Sequence, residues 1–240
     1  TDSRMIELHG EEREIALKSG NLMKLRMLLK RKKCGRLKSR LVAQGFLEAW
    51  WLTAGKESSP VLRQESLRAL IFGGGIDDEF ACIDVSTAFL QASAYTIDDY
   101  IRYATYREYR GGPLRVYRLT GPVYGQRDAP RRWYETAIHT LTQELGFIAS
   151  PNDPCAFHHP ITRVYLGLVV DGILARGPKL ELDKFMETFQ TKFLCTEPNH
   201  LTDDNPIDFS GLRLTRETKS NGQVGYYIDQ QGDFDQYLII

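Results

Sequence analysis

Two carboxylates stand where carboxylates are costly. Asp84 closes the apolar run at 80–83, and Asp171 follows the almost continuous apolar run at 164–170. A carboxylate at the end of a buried strand needs solvent, a partner or a cation. Brought together from two strand ends, such a pair suits Mg²⁺, which takes oxygen ligands and keeps waters and substrate phosphates in its shell. Two such ions about 3.5–4 Å apart activate an attacking hydroxyl and stabilise the leaving oxygen in phosphoryl transfer. Asp171 also has a plainer explanation. It precedes Gly172, and Asp-Gly is favoured in a two-residue hairpin turn whatever the chemistry.

Charge is the second feature that points to chemistry. The 31 basic and 31 acidic residues cancel, so bulk charge names no partner. Their distribution is uneven. Residues 24–40 hold nine bases (Lys24, Arg26, Lys30, Arg31, Lys32, Lys33, Arg36, Lys38 and Arg40) and no acid. Residues 102–132 hold eight arginines, among them Arg118, Arg127 and Arg131, interleaved with tyrosines and opposed by Glu108 and Asp128 alone. After residue 180 acids dominate. Arginines neutralise phosphates and tyrosines stack on bases, so the two blocks together suit a nucleic-acid groove; a solvated face is the alternative.

The elements that must position these groups follow from periodicity. The apolar runs at 164–170 and 173–175 around Asp171-Gly172 predict a β-hairpin, with Asp171 and Gly172 at its tip beside the strand that carries Asp84. Trp133, Tyr134, Ala137, Ile138, Leu141 and Leu145 keep helical spacing until Gly146, and Leu182, Phe185, Met186, Phe189 and Phe193 form one helical stripe. A helix over 66–72 ends at Gly73-Gly74-Gly75, which lacks the spacing of a phosphate loop. Strands are expected at 41–43, 209–214 and 224–228, the last two joined through Asn221-Gly222, and residues 1–31 read as a helical lead-in. With hairpins and no regular βαβ alternation, the fold class is α+β. At 240 residues and 42% hydrophobic content the chain can bury a substantial core. No stretch approaches the ~20 apolar residues of a membrane helix, and Cys34, Cys82, Cys155 and Cys195 form no CxxC pair. The expectation is a soluble intracellular protein, cytoplasmic or nuclear, with reduced thiols and no membrane partner.

Seven blocks in order then carry a family resemblance: KSRLVAQGF at 38–46, ESSPV at 57–61 with SLRAL at 66–70, IDVSTAFL at 83–90, VYGQRDAPRRWY at 123–134, NDPCAF at 152–157, LVVDGIL at 168–174 and FSGLRL at 209–214. Over residues 32–238 the chain resembles the reverse transcriptase domain of Ty1/copia-type retrotransposons. The resemblance implies a right-hand polymerase palm and fingers over 32–240, an antiparallel palm sheet packed on helices and no recognisable thumb. It implies that Asp84 and Asp171 hold two Mg²⁺ ions for RNA-directed DNA synthesis on a primer–template from deoxynucleoside triphosphates. Phe89 falls where the family places a ring against the sugar 2′ position, and Lys38 and Arg40 fall where bases face the triphosphate. The alternatives for these three are a core phenylalanine and a solvated basic loop.

Departures from the family pattern fall at the chemistry. The second hairpin aspartate is Gly172, and the preceding tyrosine is Val169. The glutamine of the Ala-Pro block is Asp128, a negative charge beside the expected nucleotide site, and Pro122 alters the backbone before that block. Two aspartates offer charge −2 where the family offers −3, and in-line transfer tolerates little first-shell error. A weak or inactive polymerase is expected; the alternatives are a catalytically dead nucleic-acid-binding module and a non-functional relic. A metal-dependent nuclease lacks clustered ligands, since His158-His159 adjoin Pro160 and His139 and His200 stand alone.

Overall fold

A computed structural model describes the chain except residues 1–3, 32–34, 36, 49–50, 52, 54, 56–57, 76, 97–98, 100 and 231–240. Lys32, Lys33, Cys34, Arg36 and Glu57 of the sequence reading lie outside the described residues. In chain order the first elements are β1 (Met5–Glu7), α1 (Gly10–Lys18), β2 (Leu22–Arg31), β3 (Leu37–Ala43), α2 (Gln64–Phe72) and β4 (Asp78–Asp84). There follow α3 (Ala88–Gln91), β5 (Tyr103–Tyr106), β6 (Arg115–Leu119), α4 (Ala129–His139), β7 (Ile148–Ala149), β8 (Ala156–His158), β9 (Tyr165–Val169) and β10 (Gly172–Pro178). Last come α5 (Lys179–Lys192), β11 (Asn199–His200), β12 (Ile207–Phe209), β13 (Leu212–Thr218) and β14 (Val224–Asp229). The mixture is α+β, and all strand pairs are antiparallel except β2 with β5. No helix is long and apolar enough to cross a membrane among the described residues.

The chain divides into two compact units, 1–59 with 88–137, and 60–87 with 138–240. In the first unit a five-stranded sheet runs β1-β6-β5-β2-β3. The lead-in expected over 1–31 is therefore not a helical appendage: β1 and β2 are strands of this sheet, and α1 packs Ala16 against Leu8 and Val116. A boundary at 31/32 would fall in the connection between two paired strands. The other sheet face is the core, with Met23, Leu25, Ala43, Ala104, Leu119 and Val123 buried together. Two motif glycines close this unit. A Cβ on Gly45 would lie 2.1 Å from the Gly125 carbonyl oxygen, and one on Gly125, at φ +86°, would lie 2.1 Å from the Ala43 oxygen. Only glycine permits that approach.

In the second unit a six-stranded sheet runs β11-β4-β10-β9-β8-β7, and a three-stranded one runs β12-β13-β14. The apolar stripe of α5 is buried as its spacing predicts, with Leu182, Phe185, Met186 and Phe189 inside and Phe147, Phe185, Phe189 and Phe193 in a chain of ring contacts. The helix predicted over 66–72 is α2, and Gly73 caps it. Gly74 has a further reason to be glycine: its Cβ would collide with the Arg176 guanidinium, which is buried against Asp78. Asp153 of the NDPCAF block is also architectural. Buried, it accepts hydrogen bonds from the backbone N–H of Arg63 at the start of α2 and of Cys155, each 2.9 Å.

Two strand readings need correction. Residues 209–214 are not one strand: Ser210 and Gly211, both at positive φ, form a two-residue turn between β12 and β13. Positive φ at both central positions is the type I′ pattern that matches strand twist. The hairpin at 164–175 exists and lies beside the Asp84 strand, but its tip is Val170-Asp171, one residue earlier than predicted. Gly172 pairs with Val169 on one side and Asp84 on the other, so it belongs to the ladder.

Candidate active site

Asp84 and Asp171 emerge at one end of the second unit's larger sheet. The Val85 N–H donates to the Asp171 carbonyl oxygen (2.8 Å), tying the hairpin tip to the residue after Asp84. On the other side the Asp84 N–H donates to Thr196 Oγ1 (3.1 Å), and the Thr196 N–H donates to the Asp84 carbonyl (2.8 Å). Both aspartates are exposed. Partial desolvation, then the Asp171 charge, raises the Asp84 carboxyl above its ordinary range. Burial, with the Asp84 charge adding to it, also pushes the Cys82 and Cys195 thiols up to about 11. These thiols stay protonated at neutral pH.

Backbone strain sits beside both carboxylates. Thr87 has φ +53° and Val170 φ +54°, a region that β-branched residues rarely enter, at a penalty of order 1–3 kcal/mol each. At the hairpin the positive φ falls on the first turn residue alone, the type II′ pattern, so valine occupies the position where glycine is usual. The register imposes this. Pairing Ile173 with Ile83 and Gly172 with Asp84 holds Gly172 in the ladder, and the bend is left to Val170-Asp171.

The same register defines what is missing. Directly opposed residues share a sheet face, so a side chain at 172 would stand next to Asp84. A Cβ there would lie 3.1 Å from Asp84 Oδ1 and 3.2 Å from Cε2 of the Phe209 ring. Two exposed carboxylates suit a hard divalent cation completed by waters and phosphates. Among the described residues, no group of three or more His, Cys, Asp or Glu side chains could hold a metal.

The remaining candidates lie in the first unit. Lys38 and Arg40 lie on one face of β3, and the Arg40 guanidinium sits over the Tyr124 ring at 5.0 Å. Tyr124 in turn meets the half-buried Phe89 ring on α3, with centroids 5.3 Å apart. Tyr124 thus links Arg40 to Phe89, a role that sequence reading missed because nothing local marks it. Arg118 is exposed on β6. Arg131 is paired with Glu135 at 2.7 Å and Arg127 is half-buried, its N–H directed at Glu48.

Asp128 is not an open negative charge. It is fully buried and takes two hydrogen bonds from Arg102 (2.8 and 2.9 Å) and one from Arg132 Nε (2.8 Å). Glu48 lies 3.2 Å from the same Arg102, and Arg132 also pairs with Asp99. Both guanidinium groups stack on Tyr95 at 4.7 Å, and its hydroxyl donates to Gln126. Burial alone would raise the Asp128 carboxyl, but the bonds and charges of Arg102 and Arg132 hold it below its ordinary range. Burial raises Glu48, and the Asp128 charge adds to the effect. The repulsive charge expected at this position is therefore neutralised locally by a buried Arg102 that sequence cannot reveal.

Comparison with known proteins places this geometry in a family. Residues 6–218 match the family described as reverse transcriptase (RNA-dependent DNA polymerase). The chain is 33% identical over 167 residues to the retrovirus-related Pol polyprotein from transposon RE1 of Arabidopsis thaliana, covering 65% of this chain and 11% of that protein. It is 27% identical over 182 residues to the corresponding polyprotein from transposon TNT 1-94 of Nicotiana tabacum, covering 72% and 14%. The chain thus spans about a tenth of the relatives it matches. Among solved structures, apo telomerase from Candida tropicalis, truncated of its C-terminal domain, superposes with a TM-score of 0.53 at 10% identity, over 94% of this chain and 57% of that one. The foamy viral protease-reverse transcriptase in complex with double-stranded DNA gives 0.51 at 15% identity, over 99% and 34%. These two likenesses concern the fold. A family match over most of the chain, with transposon Pol polyproteins as its relatives, decides membership: the chain belongs to the reverse transcriptase family, in its copia-type branch.

Proposed function

We propose that this domain is a reverse transcriptase palm and fingers that engages primer–template and nucleotide but polymerises weakly or not at all. The observation that carries the reading is the pairing of Gly172 with Asp84, which leaves two carboxylates where a third would stand. In this reading Asp84 and Asp171 hold Mg²⁺ together with substrate phosphates. The bound ion would supply charge neutralisation at the attacking and leaving oxygens. The protein's own part is orientation: the Val85–Asp171 and Asp84–Thr196 bonds fix the backbone at both aspartates, and the pairing of Gly172 with Val169 and Asp84 sets where the tip bends. From the family resemblance Arg40 is assigned to the triphosphate and Phe89 to the sugar; within the first unit Tyr124 touches both. Arg118, Arg127 and Arg131 serve the nucleic-acid backbone.

The test is primer–template binding followed by extension. The purified chain binds with affinity that falls as salt rises, and extends the primer barely or not at all with Mg²⁺. Robust extension would contradict the ligand-count reasoning, and failure to bind at low salt would contradict the domain's role in holding nucleic acid.

A further inference from the structure

Five ionisable groups meet inside the first unit. Glu48 comes from the turn after β3, Asp99 and Arg102 from the segment that leads into β5, and Asp128 and Arg132 from the start of α4. Asp128 divides its oxygens between Arg102 and Arg132, and Arg132 also pairs with Asp99. Two carboxylates thus match two guanidinium groups. Glu48 is the third carboxylate, and ionised it would leave one negative charge unmatched where its side chain is wholly out of solvent. A buried group in that position neutralises instead. Arginine does not give up its proton in proteins, so the proton must sit on a carboxyl group.

The bonding selects Glu48. Asp128 takes three charge-assisted bonds of 2.8, 2.9 and 2.8 Å, and Asp99 takes the Thr96 N–H (2.8 Å) besides Arg132. Glu48 Oε1 lies 3.2 Å from Arg102 Nη1, but that nitrogen already donates to Asp128 Oδ1 and to the Tyr95 hydroxyl (3.0 Å), and Oε1 is buried without a hydrogen bond. Oε2 accepts a long bond (3.4 Å) from the Arg127 N–H. Around Glu48 stand Arg102, Asp128, Tyr95 and the Gln126 amide, with Arg132 behind Asp128. From β2 the contact is backbone, the Gln44 N–H donating to the Lys24 carbonyl (2.8 Å). Burial raises the Glu48 carboxyl, Arg102 offsets part of this, and the Asp128 charge adds to it. Burial acts on Asp128 and Asp99 too, but there the Arg102, Arg132 and Thr96 bonds outweigh it.

The start of the Glu48 turn is held by backbone. The Ala43 N–H donates to the Tyr124 carbonyl (2.7 Å), and Gly45 abuts Gly125. Its end is held by the Glu48 side chain at Arg127. We infer that Glu48 is a proton-operated latch: with its proton it docks the end of the 45–48 turn on Gln126 and Arg127, and when that proton passes to water the carboxylate swings out and releases the end. Release is local, because the four groups left behind are balanced in charge. The docked turn keeps the proton above the pH at which an exposed glutamate loses it. The latch therefore contributes fully below the ordinary glutamate range and is lost as pH rises through the docked value.

The experiment is backbone hydrogen exchange of the chain without nucleic acid, followed from about pH 5 to about pH 8 and corrected for intrinsic exchange. An opening that releases one proton becomes about tenfold more frequent for each pH unit above the docked value. The Arg127 N–H loses protection at that rate, while the Leu119 N–H, bonded to the Arg102 carbonyl at 2.9 Å, keeps it. In Glu48→Gln, whose amide has the shape of the protonated acid and no proton to lose, Arg127 stays protected throughout. An Arg127 N–H whose exchange, slow or fast, ignores pH in the unmodified chain overturns the inference. So does a pH dependence that survives in Glu48→Gln, which assigns the proton to another carboxyl group. Loss of protection at Leu119 in step with Arg127 means that the network opens as a whole, and there is no latch. Failure of Glu48→Gln to fold overturns the inference as well, since the amide stands in for the protonated acid.

Discussion

Replacing Gly172 by Asp returns the third carboxylate, and the geometry says what that does before any turnover is measured. The new Cβ lies 3.1 Å from Asp84 Oδ1, so its carboxylate stands about one side chain away from an existing negative charge. Two unit charges about 4 Å apart repel by about 1 kcal/mol in water and about 4 kcal/mol near a protein surface. Asp84 is exposed, which places the penalty at about 1–2 kcal/mol. The Phe209 ring, 3.2 Å from the same Cβ, must shift by a few tenths of an ångström. In the absence of a divalent cation, Gly172→Asp therefore lowers the unfolding midpoint by roughly 2–8 °C. The loss has a sign in pH. Repulsion raises the folded-state pKa values above their unfolded ones, so the penalty is absent when both groups are protonated and grows as pH rises through the carboxylate range. Mg²⁺ reverses it: at about 100 times its Kd an ion bound only by the folded state adds about 2.7 kcal/mol. Thermal unfolding at neutral pH, with EDTA and with saturating Mg²⁺, measures both effects. An unaltered midpoint in EDTA, or equal stabilisation of both proteins by Mg²⁺, refutes the placement of position 172 against Asp84.

Further outcomes follow from individual contacts. Asp128→Gln, although it restores the family residue, leaves Arg102 and Arg132 short of a buried partner and destabilises by about 3–5 kcal/mol in urea unfolding; a neutral effect would mean that the network reorganises freely. Because the Asp128 pKa is depressed in the folded state, its contribution is full above the unfolded carboxylate value and declines as pH falls through the folded value. Asp128→Asn therefore shows a shallower loss of stability with acid than the unmodified chain. Val170→Gly relieves the positive φ and raises stability by about 1 kcal/mol, set against greater freedom of the unfolded chain. Divalent-ion binding weakens on acidification from a pH above the ordinary aspartate range, because the Asp84 pKa is raised.

The elements were legible where one physical signal dominated. The stripe of α5 and the apolar runs of β9 and β10 each follow a single period, and burial enforces it. The hairpin tip differs from its expected place because Asp-Gly is a local preference, whereas register is a sheet-wide property. Seven pairs between β10 and β4 outweigh the turn preference of one dipeptide. The break at Ser210-Gly211 did leave a turn signal, hidden by the apolar residues on both sides. Among the candidate residues, Asp84 and Asp171 stand out in the sequence because a carboxylate after an apolar run is unusual. Asp128 could be found but not interpreted: its meaning depends on Arg102, 26 positions away, whose burial no local pattern announces. Tyr124 escaped for the same reason, since its significance lies in touching Arg40 and Phe89.

On the proposed function, one absent carboxylate limits nucleotidyl transfer and the Asp128 network does not. Mg²⁺-dependent extension of a primer–template by the unmodified chain and by Gly172→Asp, at matched fractions of bound primer, tests it most directly. The expected result is no extension above background by the unmodified chain and a gain of at least roughly a hundredfold, a barrier change of about 2.7 kcal/mol, in the single variant with Asp128 intact. Equal extension by the two proteins, whether both active or both silent, would contradict it.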